Sequence, residues 1–467
     1  MTAVMDPPTG SDAPRVLRQL YPWIAVLAIA ILLWLARDMT FRGDDWDLVA
    51  RRSLLDPIGL MRPFNEQWVL VPAVIFRLIF TVVGMHSYLP YLLVLLLCHV
   101  AVAEAVRRLV AHSAGSFAGY LAGLLVLLLG TGAENLRWAF QIGMVLSTAT
   151  GLWAVYYSTA RLKPRAAAFL LLLSVSSHAI GVIFLVAAVL TLAVAYQRKS
   201  LAWLAIPSAA LLSWLVLFGL PAMAARGTSL TDGVGAVPVF VVAGIATATG
   251  SLTATHTAGG IIILAACAAL VALLGIRPAR PTIVLAVVTA LVVEYGLIAV
   301  SRAEFGLGSV GWSRYTYVGA SLALIGLAGW FGASFGPWRD LRPSMRLAMG
   351  LTVAVAILLN LRYYVDTRDA ELVHIHRSRA TAAVAAWAHD AVRPPSDVHV
   401  PPPEELRSLF ARHGSPARDD LLPGVVPEVP LEIARGICRE MLPGTRQLSA
   451  CLAAVADGVG EPRTPAR

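Results

Sequence analysis

Adjacent carboxylates offer the clearest chemistry in this chain. Asp44 and Asp45 stand in the run Arg42-Gly-Asp-Asp-Trp-Asp, directly after the first apolar segment, Tyr21 to Ala36. One acid of such a pair can act as general base toward a hydroxyl, while its neighbour holds the acceptor or raises the base's pKa by like-charge repulsion. The same pair can hold Mg2+ or Mn2+ through oxygen ligands. A plainer reading leaves a solvated loop in which Asp44, Asp45 and Asp47 pair with Arg42, Arg51 and Arg52. Around them lie six acids (Asp38, Asp44, Asp45, Asp47, Asp56, Glu66) and five arginines (Arg37, Arg42, Arg51, Arg52, Arg62), in a protein only 14% charged. Charge this dense beside an apolar span is costly unless solvated or paired, so the stretch marks a site.

The rest of the chain must hold that loop at a membrane surface. Of 467 residues 58% are hydrophobic, and the mean hydropathy is +0.71, which excludes an ordinary soluble enzyme. Apolar runs of roughly 16–22 residues recur, each about long enough to cross a ~30 Å hydrocarbon core. Backbone inside such a core must satisfy its own hydrogen bonds, so these runs are helices. The short alternating segments of a β-barrel are missing. The fold class is an all-α integral membrane protein. Spans are expected at 22–37, 88–106, 117–132, 139–159, 166–178, 180–196, 201–219, 260–276, 281–300, 316–333 and 345–361. Two further apolar stretches, 68–83 with Pro72 and Arg77, and 237–252, rich in Gly, Ala and Thr, read as re-entrant or interfacial helices. That gives about 11 crossings, or 13 if both cross, and either count leaves the C-terminus outside. With neither crossing, the basic loops Arg107-Arg108, Arg161/Lys163/Arg165, Arg198-Lys199, Arg277/Arg280 and Arg339/Arg342/Arg346 all fall inside.

Residues 1–19 read as a disordered cytoplasmic N-terminus before an uncleaved anchor, 20–361 as the membrane domain with an acidic outer loop at 38–67, and 362–467 as an extracytoplasmic tail. The tail opens as an amphipathic helix through His389 and then turns Pro-rich, so it is either a small helical fold or loosely ordered. The net charge of +9 sits in the membrane part: the tail has 13 arginines against 14 acids. Basic excess of that kind follows from the positive-inside rule, and no nucleic-acid motif accompanies it. Cys98 and Cys267 fall in apolar runs, whereas Cys438 and Cys451 could form a disulfide if the tail is outside the cell.

Gly43-Asp44-Asp45-Trp46, the second polar turn Asn65-Glu66-Gln67-Trp68, the Pro-containing helix after it, and the outer turn with Glu134 and Arg137 together resemble the C-type (GT-C) superfamily of polytopic membrane glycosyltransferases. The likeness covers roughly 15–320 in layout and reaches motif level in the first loop alone. Some relatives have a His-Pro-Pro-like element where this chain has Asn-Glu-Gln-Trp. The resemblance implies transfer of a sugar from a polyprenyl-phosphate donor to a glycan, lipid or protein acceptor on the outer face of the plasma membrane, with Asp44 and Asp45 catalytic. Arg302 and Arg314, on the outer side against the positive-inside bias, and Arg137 would then grip the donor phosphate, since guanidinium binds phosphate bidentately. Each also has a structural reading: Arg302 and Arg314 as anchors paired with Glu304, and Arg137 paired with Glu134. His178 could contact donor or cap a turn. Glu66 would bind substrate, and Trp46, Trp68 and Trp312 could stack on a sugar. Two other functions stay open: a transporter or lipid flippase, to which Glu294 inside a span would be relevant, and a non-enzymatic assembly protein.

Overall fold

The computed structural model describes residues 15–194, 197–226, 233–278, 280–332, 341–388, 394–395, 398–413, 429–445 and 447–457. The N-terminal segment 1–14 and Arg339, for which disorder and a cytoplasmic position are expected, lie outside the described residues. Helices make up nearly all the regular structure, and no strand occurs among the described residues beyond a bridge between Phe64 and Gln67. Eight of the described helices are long and apolar enough to cross a membrane, with shorter apolar helices at Leu70–Val83, Pro164–Val175 and Gly181–Val194. The chain is therefore an all-α, multi-pass membrane protein. Large apolar side chains on its outside, such as Trp23 and Val26 on the first helix and Ile262 and Leu273 on the thirteenth, suit contact with lipid rather than water.

Helix α1 (Arg15–Leu35) leads into short α2 (Asp45–Ala50) and α3 (Pro57–Met61), then α4 (Leu70–Val83). Helix α5 (Leu89–Leu127) is a hairpin rather than one rod: Gly115 takes φ 86°, ψ 161°, a conformation open to glycine. This resolves it into the two expected spans on either side of residue 115. Next come α6 (Glu134–Arg137), α7 (Ile142–Thr159), α8 (Pro164–Val175), α9 (Gly181–Val194), α10 (Arg198–Trp214), α11 (Leu220–Arg226), α12 (Val237–Ser251), α13 (His256–Leu274), α14 (Pro281–Arg302) and α15 (Ser313–Phe331). The series closes with α16 (Pro343–Trp387), α17 (Pro403–His413), α18 (Leu431–Met441) and α19 (Gln447–Asp457).

Contacts sort the loops into two faces. On the lower face Tyr21 meets Tyr120 edge-on, Arg107 and Arg108 pair with Glu104, and Arg280 donates to the carbonyl of His112. On the upper face Arg368 Nε donates to Leu35 O at 2.7 Å, and Ser313 Oγ to Thr131 O at 2.8 Å, so the acidic loop and the far end of α16 share a side.

The ends of α4 and α12 contact residues of the upper face, and Val234–Ser251, which includes α12, is also one of the eight segments long and apolar enough to cross. Val71 N donates to Ser176 O, and beyond the other end of α4 Met85 N donates to His413 O at 2.8 Å. Halfway along α4, Arg77 donates to Val49 O in α2. Just before α12, Gly233 rests on the last turn of α14 at Ala299 and Val300, while Ser251 and Leu252 at its far end accept from Thr131 and Asn360.

With 45 residues, α16 is about 68 Å long, more than twice the apolar core it crosses. The excess projects above the upper face, where its charged residues begin, and it is latched to the first loop by Arg368–Asp38 and Arg42–Glu371 ion pairs. The described tail is helical and folded. Cys438 and Cys451 are joined in a disulfide between α18 and α19, Arg377 reaches Glu440, and His413 packs against Phe80 of α4.

Candidate active site

The turn before α2 sets the two aspartates apart. Gly43 holds φ +50°, and a Cβ there would lie 3.3 Å from the Trp138 ring, so the turn presses the first loop against the second. That leaves Asp44 at the N-cap of α2 and Asp45 in its first turn.

Asp45 is fully buried. Its Oδ2 accepts from Tyr88 Oη at 2.8 Å, Arg42 N at 3.1 Å and Trp138 Nε1 at 3.2 Å, and Tyr88 Oη in turn accepts from Ala139 N at 2.9 Å. One carboxylate thus ties the first loop, the entry to α5 and the second loop together. Its Oδ1 is buried without a hydrogen-bond partner among the described residues. Burial pushes its pKa up to about 7, although the Tyr88 and Arg42 hydrogen bonds pull the other way.

Asp44 is the accessible acid of the pair. It is half-buried, and among the described residues its carboxylate makes no hydrogen bond or ion pair. Burial raises its pKa above the usual carboxylate range, while the nearby charges of Arg314 and His399 oppose the rise. Of the loop pairings foreseen, Asp47 with Arg52 forms at 3.1 Å, and Arg52 also donates to Gly59 O and Arg62 O. Arg42 reaches Asp45 through its backbone, and its guanidinium goes to Glu371.

Arg314 and Arg302 lie in this neighbourhood. Arg314 pairs with Glu134 at 3.4 Å and sits over the rings of Trp312 and Tyr315, and its Nε is buried without a partner among the described residues. Arg302 pairs with Glu66 at 3.9 Å rather than with Glu304. His178 caps its turn, Nδ1 accepting from Ile180 N at 3.0 Å. Burial, with the Arg314 and Arg302 charges close by, lowers its pKa to about 3, so it is a neutral ring at physiological pH.

Three expected site residues occupy other roles. Arg137 is 3% exposed and does not meet Glu134: it donates to Tyr364 O and Thr367 Oγ1 and pairs with Glu371 at 2.7 Å. A guanidinium so engaged is a structural clamp, because releasing it would leave its own buried charge without a counter-ion. Trp46 and Trp68 are core residues. Trp46 packs on Phe41, and Trp68 stacks on Trp214 at 5.6 Å with planes 7° apart, so neither ring face is open to a sugar. Trp312 remains half-buried beside Arg314.

For a metal, no three His, Cys, Asp or Glu side chains converge among the described residues, and Asp44 is the acid of the pair with both oxygens unengaged. Sequence reasoning missed Glu371, Tyr88 and His399. Glu371 carried a faint signal, as a carboxylate two to three turns beyond the end of the last span; a tyrosine and a histidine outside any motif carried none. No family model matches the chain, and comparison with curated proteins and with solved structures finds no match.

Proposed function

We propose that this protein is a membrane glycosyltransferase that moves a sugar from a polyprenyl-phosphate carrier to a hydroxyl acceptor at the upper face. One observation carries the reading: Asp44, a half-buried carboxylate with no hydrogen bond or ion pair among the described residues, lies within electrostatic reach of Arg314 on the face where the first loop, the second loop and the tail meet. Asp44 takes the acceptor's hydroxyl proton as that oxygen bonds to the anomeric carbon. The bond from this carbon to the phosphate oxygen breaks, and lipid phosphate leaves with the electron pair. A single displacement inverts the anomeric centre. Arg314 and Arg302 neutralise the departing phosphate, which needs less acid assistance than an alkoxide would. Asp45 holds the loop around its neighbour, and Arg137 is left out of phosphate binding.

The chain crosses the plasma membrane eleven times in this reading, with the N-terminus cytoplasmic and the upper face outside. Support comes from α4 and α12, whose ends contact residues of the upper face, from the Cys438–Cys451 disulfide on that side, and from the basic clusters on the lower one.

Glu294 favours a second reading, a transporter or flippase. It is fully buried within α14, and both carboxylate oxygens lack a partner among the described residues. Asp44→Asn in cells separates the cases. Loss of surface glycan at unchanged protein level is the expected result. Unchanged glycan would sink the transferase reading, and altered lipid translocation would favour the second.

A further inference from the structure

Beside the middle of α16 and the first turn of α15 lies a cavity of about 390 Å³. Its size falls within the ~300–1,000 Å³ of small-molecule sites. Glu134 and Arg137 form one wall, and Tyr363, Thr367, Glu371 and His374, on successive turns of α16, form the other. We infer that this cavity seats a neutral polyhydroxylated acceptor, a sugar hydroxyl compound, an inference that rests on the reading of Asp44 as its base.

Three observations carry it. Two ion pairs link the cavity walls to the surroundings of Asp44: Glu134 on one wall holds Arg314, whose charge acts on Asp44, and Glu371 on the other holds Arg42, two residues before Asp44. Both lining carboxylates are held by arginines, Glu134 by Arg314 and Glu371 by Arg42 and Arg137, so their charge is compensated and the walls offer a ligand hydrogen bonding more than a net field. Hydrogen-bonding capacity for hydroxyl groups is left over. The Tyr363 hydroxyl and the His374 ring have no hydrogen-bond partner among the described residues, and the Glu134 carboxylate stands beside them. A hydroxyl both donates and accepts, so one ligand class can meet carboxylate, phenol and imidazole together.

Saturation-transfer NMR on the full chain in lipid nanodiscs tests this, with D-glucose, D-galactose and D-mannose as probes and inorganic phosphate as competitor. Ala370 also lines the cavity and is exposed on α16, so Ala370→Trp fills the space without removing a charge. The expected result is transfer to at least one hexose, about tenfold weaker in Ala370→Trp, indifferent to phosphate, and retained in Asp44→Asn. Absence of signal from all three sugars, a signal that survives Ala370→Trp, or displacement by phosphate each overturns the assignment. If hexose binding fails while Asp44→Asn still abolishes surface glycan, the cavity loses its role and the transferase reading stands.

Discussion

The two faces of the molecule handle charge in opposite ways. On the lower face Glu104 serves both Arg107 and Arg108, and other cations rest on rings or carbonyls, Arg165 over Trp203 and Arg280 on His112 O. On the upper face arginines pair with carboxylates from distant segments: Arg42 and Arg137 with Glu371, Arg302 with Glu66, Arg314 with Glu134 and Arg368 with Asp38. Uncompensated positive charge is enough to orient a chain in a bilayer, whereas long-range pairing holds loops in a fixed arrangement. The lower face is thus built for topology and the upper face for a site. Within that surface the half-buried Asp44 carboxylate makes no hydrogen bond or ion pair among the described residues.

The largest effect should come from removing that carboxylate. Asp44→Asn should lower sugar transfer by about 10²–10⁴-fold, the usual scale for loss of a general base, with little change in stability. As the base must be ionised, activity in the parent should fall when pH drops through a pKa above the ordinary carboxylate range. Arg314 opposes that rise, so Arg314→Ala should move the acid limb of the pH–rate profile to higher pH. Full activity in Asp44→Asn would reduce the upper face to scaffolding.

Asp45 sharpens the contrast through stability instead. Its pKa of about 7 in the fold lies above the ~3.9 of a free aspartate. The folded state then binds the extra proton, so this group's contribution is full below pH ~4 and is lost as pH rises to about 7, by up to ~1.4 kcal/mol per pH unit. Thermal unfolding of purified protein should show Asp45→Asn close to the parent below pH ~4 and increasingly more stable than it as pH rises through that window, since asparagine mimics the protonated acid. A pH-independent difference would mean that Asp45 is ionised throughout.

Glu371→Gln comes next. It strips a counter-charge from Arg42 and from Arg137, whose side chain is 4% exposed, and should cost about 2–3 kcal/mol in detergent unfolding, toward the low side of the values for broken buried pairs because Glu371 keeps some solvent contact. No measurable change would show that the tail helix is not latched to the loops.

Much of this architecture was legible in the chain, because a bilayer leaves an apolar run few alternatives to a helix. The apolar helices, the hairpin at 115 and the tail cysteines all carry local signals. What stayed hidden depends on partners far apart in sequence. Asp44 and Asp45 look identical as a dipeptide, and they separate only when Tyr88 and Trp138 arrive to bury one of them. Trp46 and Trp68 read as interfacial rings, yet the loop folds inward and consumes them. Arg137 was matched to its neighbour Glu134, when the carboxylate that holds it comes from 234 residues downstream, where the last helix overshoots the membrane.

The smallest effect tests the lower face. Glu104 bridges Arg107 and Arg108 at helical spacing, with its side chain 23% exposed. The arginines have other partners, Arg107 lying over Tyr120 at 4.8 Å and Arg108 over Trp153 at 5.0 Å. Glu104→Gln should therefore cost about 0.5–1 kcal/mol, the scale of partly exposed pairs. It should also leave the orientation unchanged, because acidic residues contribute little to the positive-inside bias. A loss as large as that in Glu371→Gln would mean that the lower carboxylate is a structural clamp too, and the division of labour between the two faces would fall.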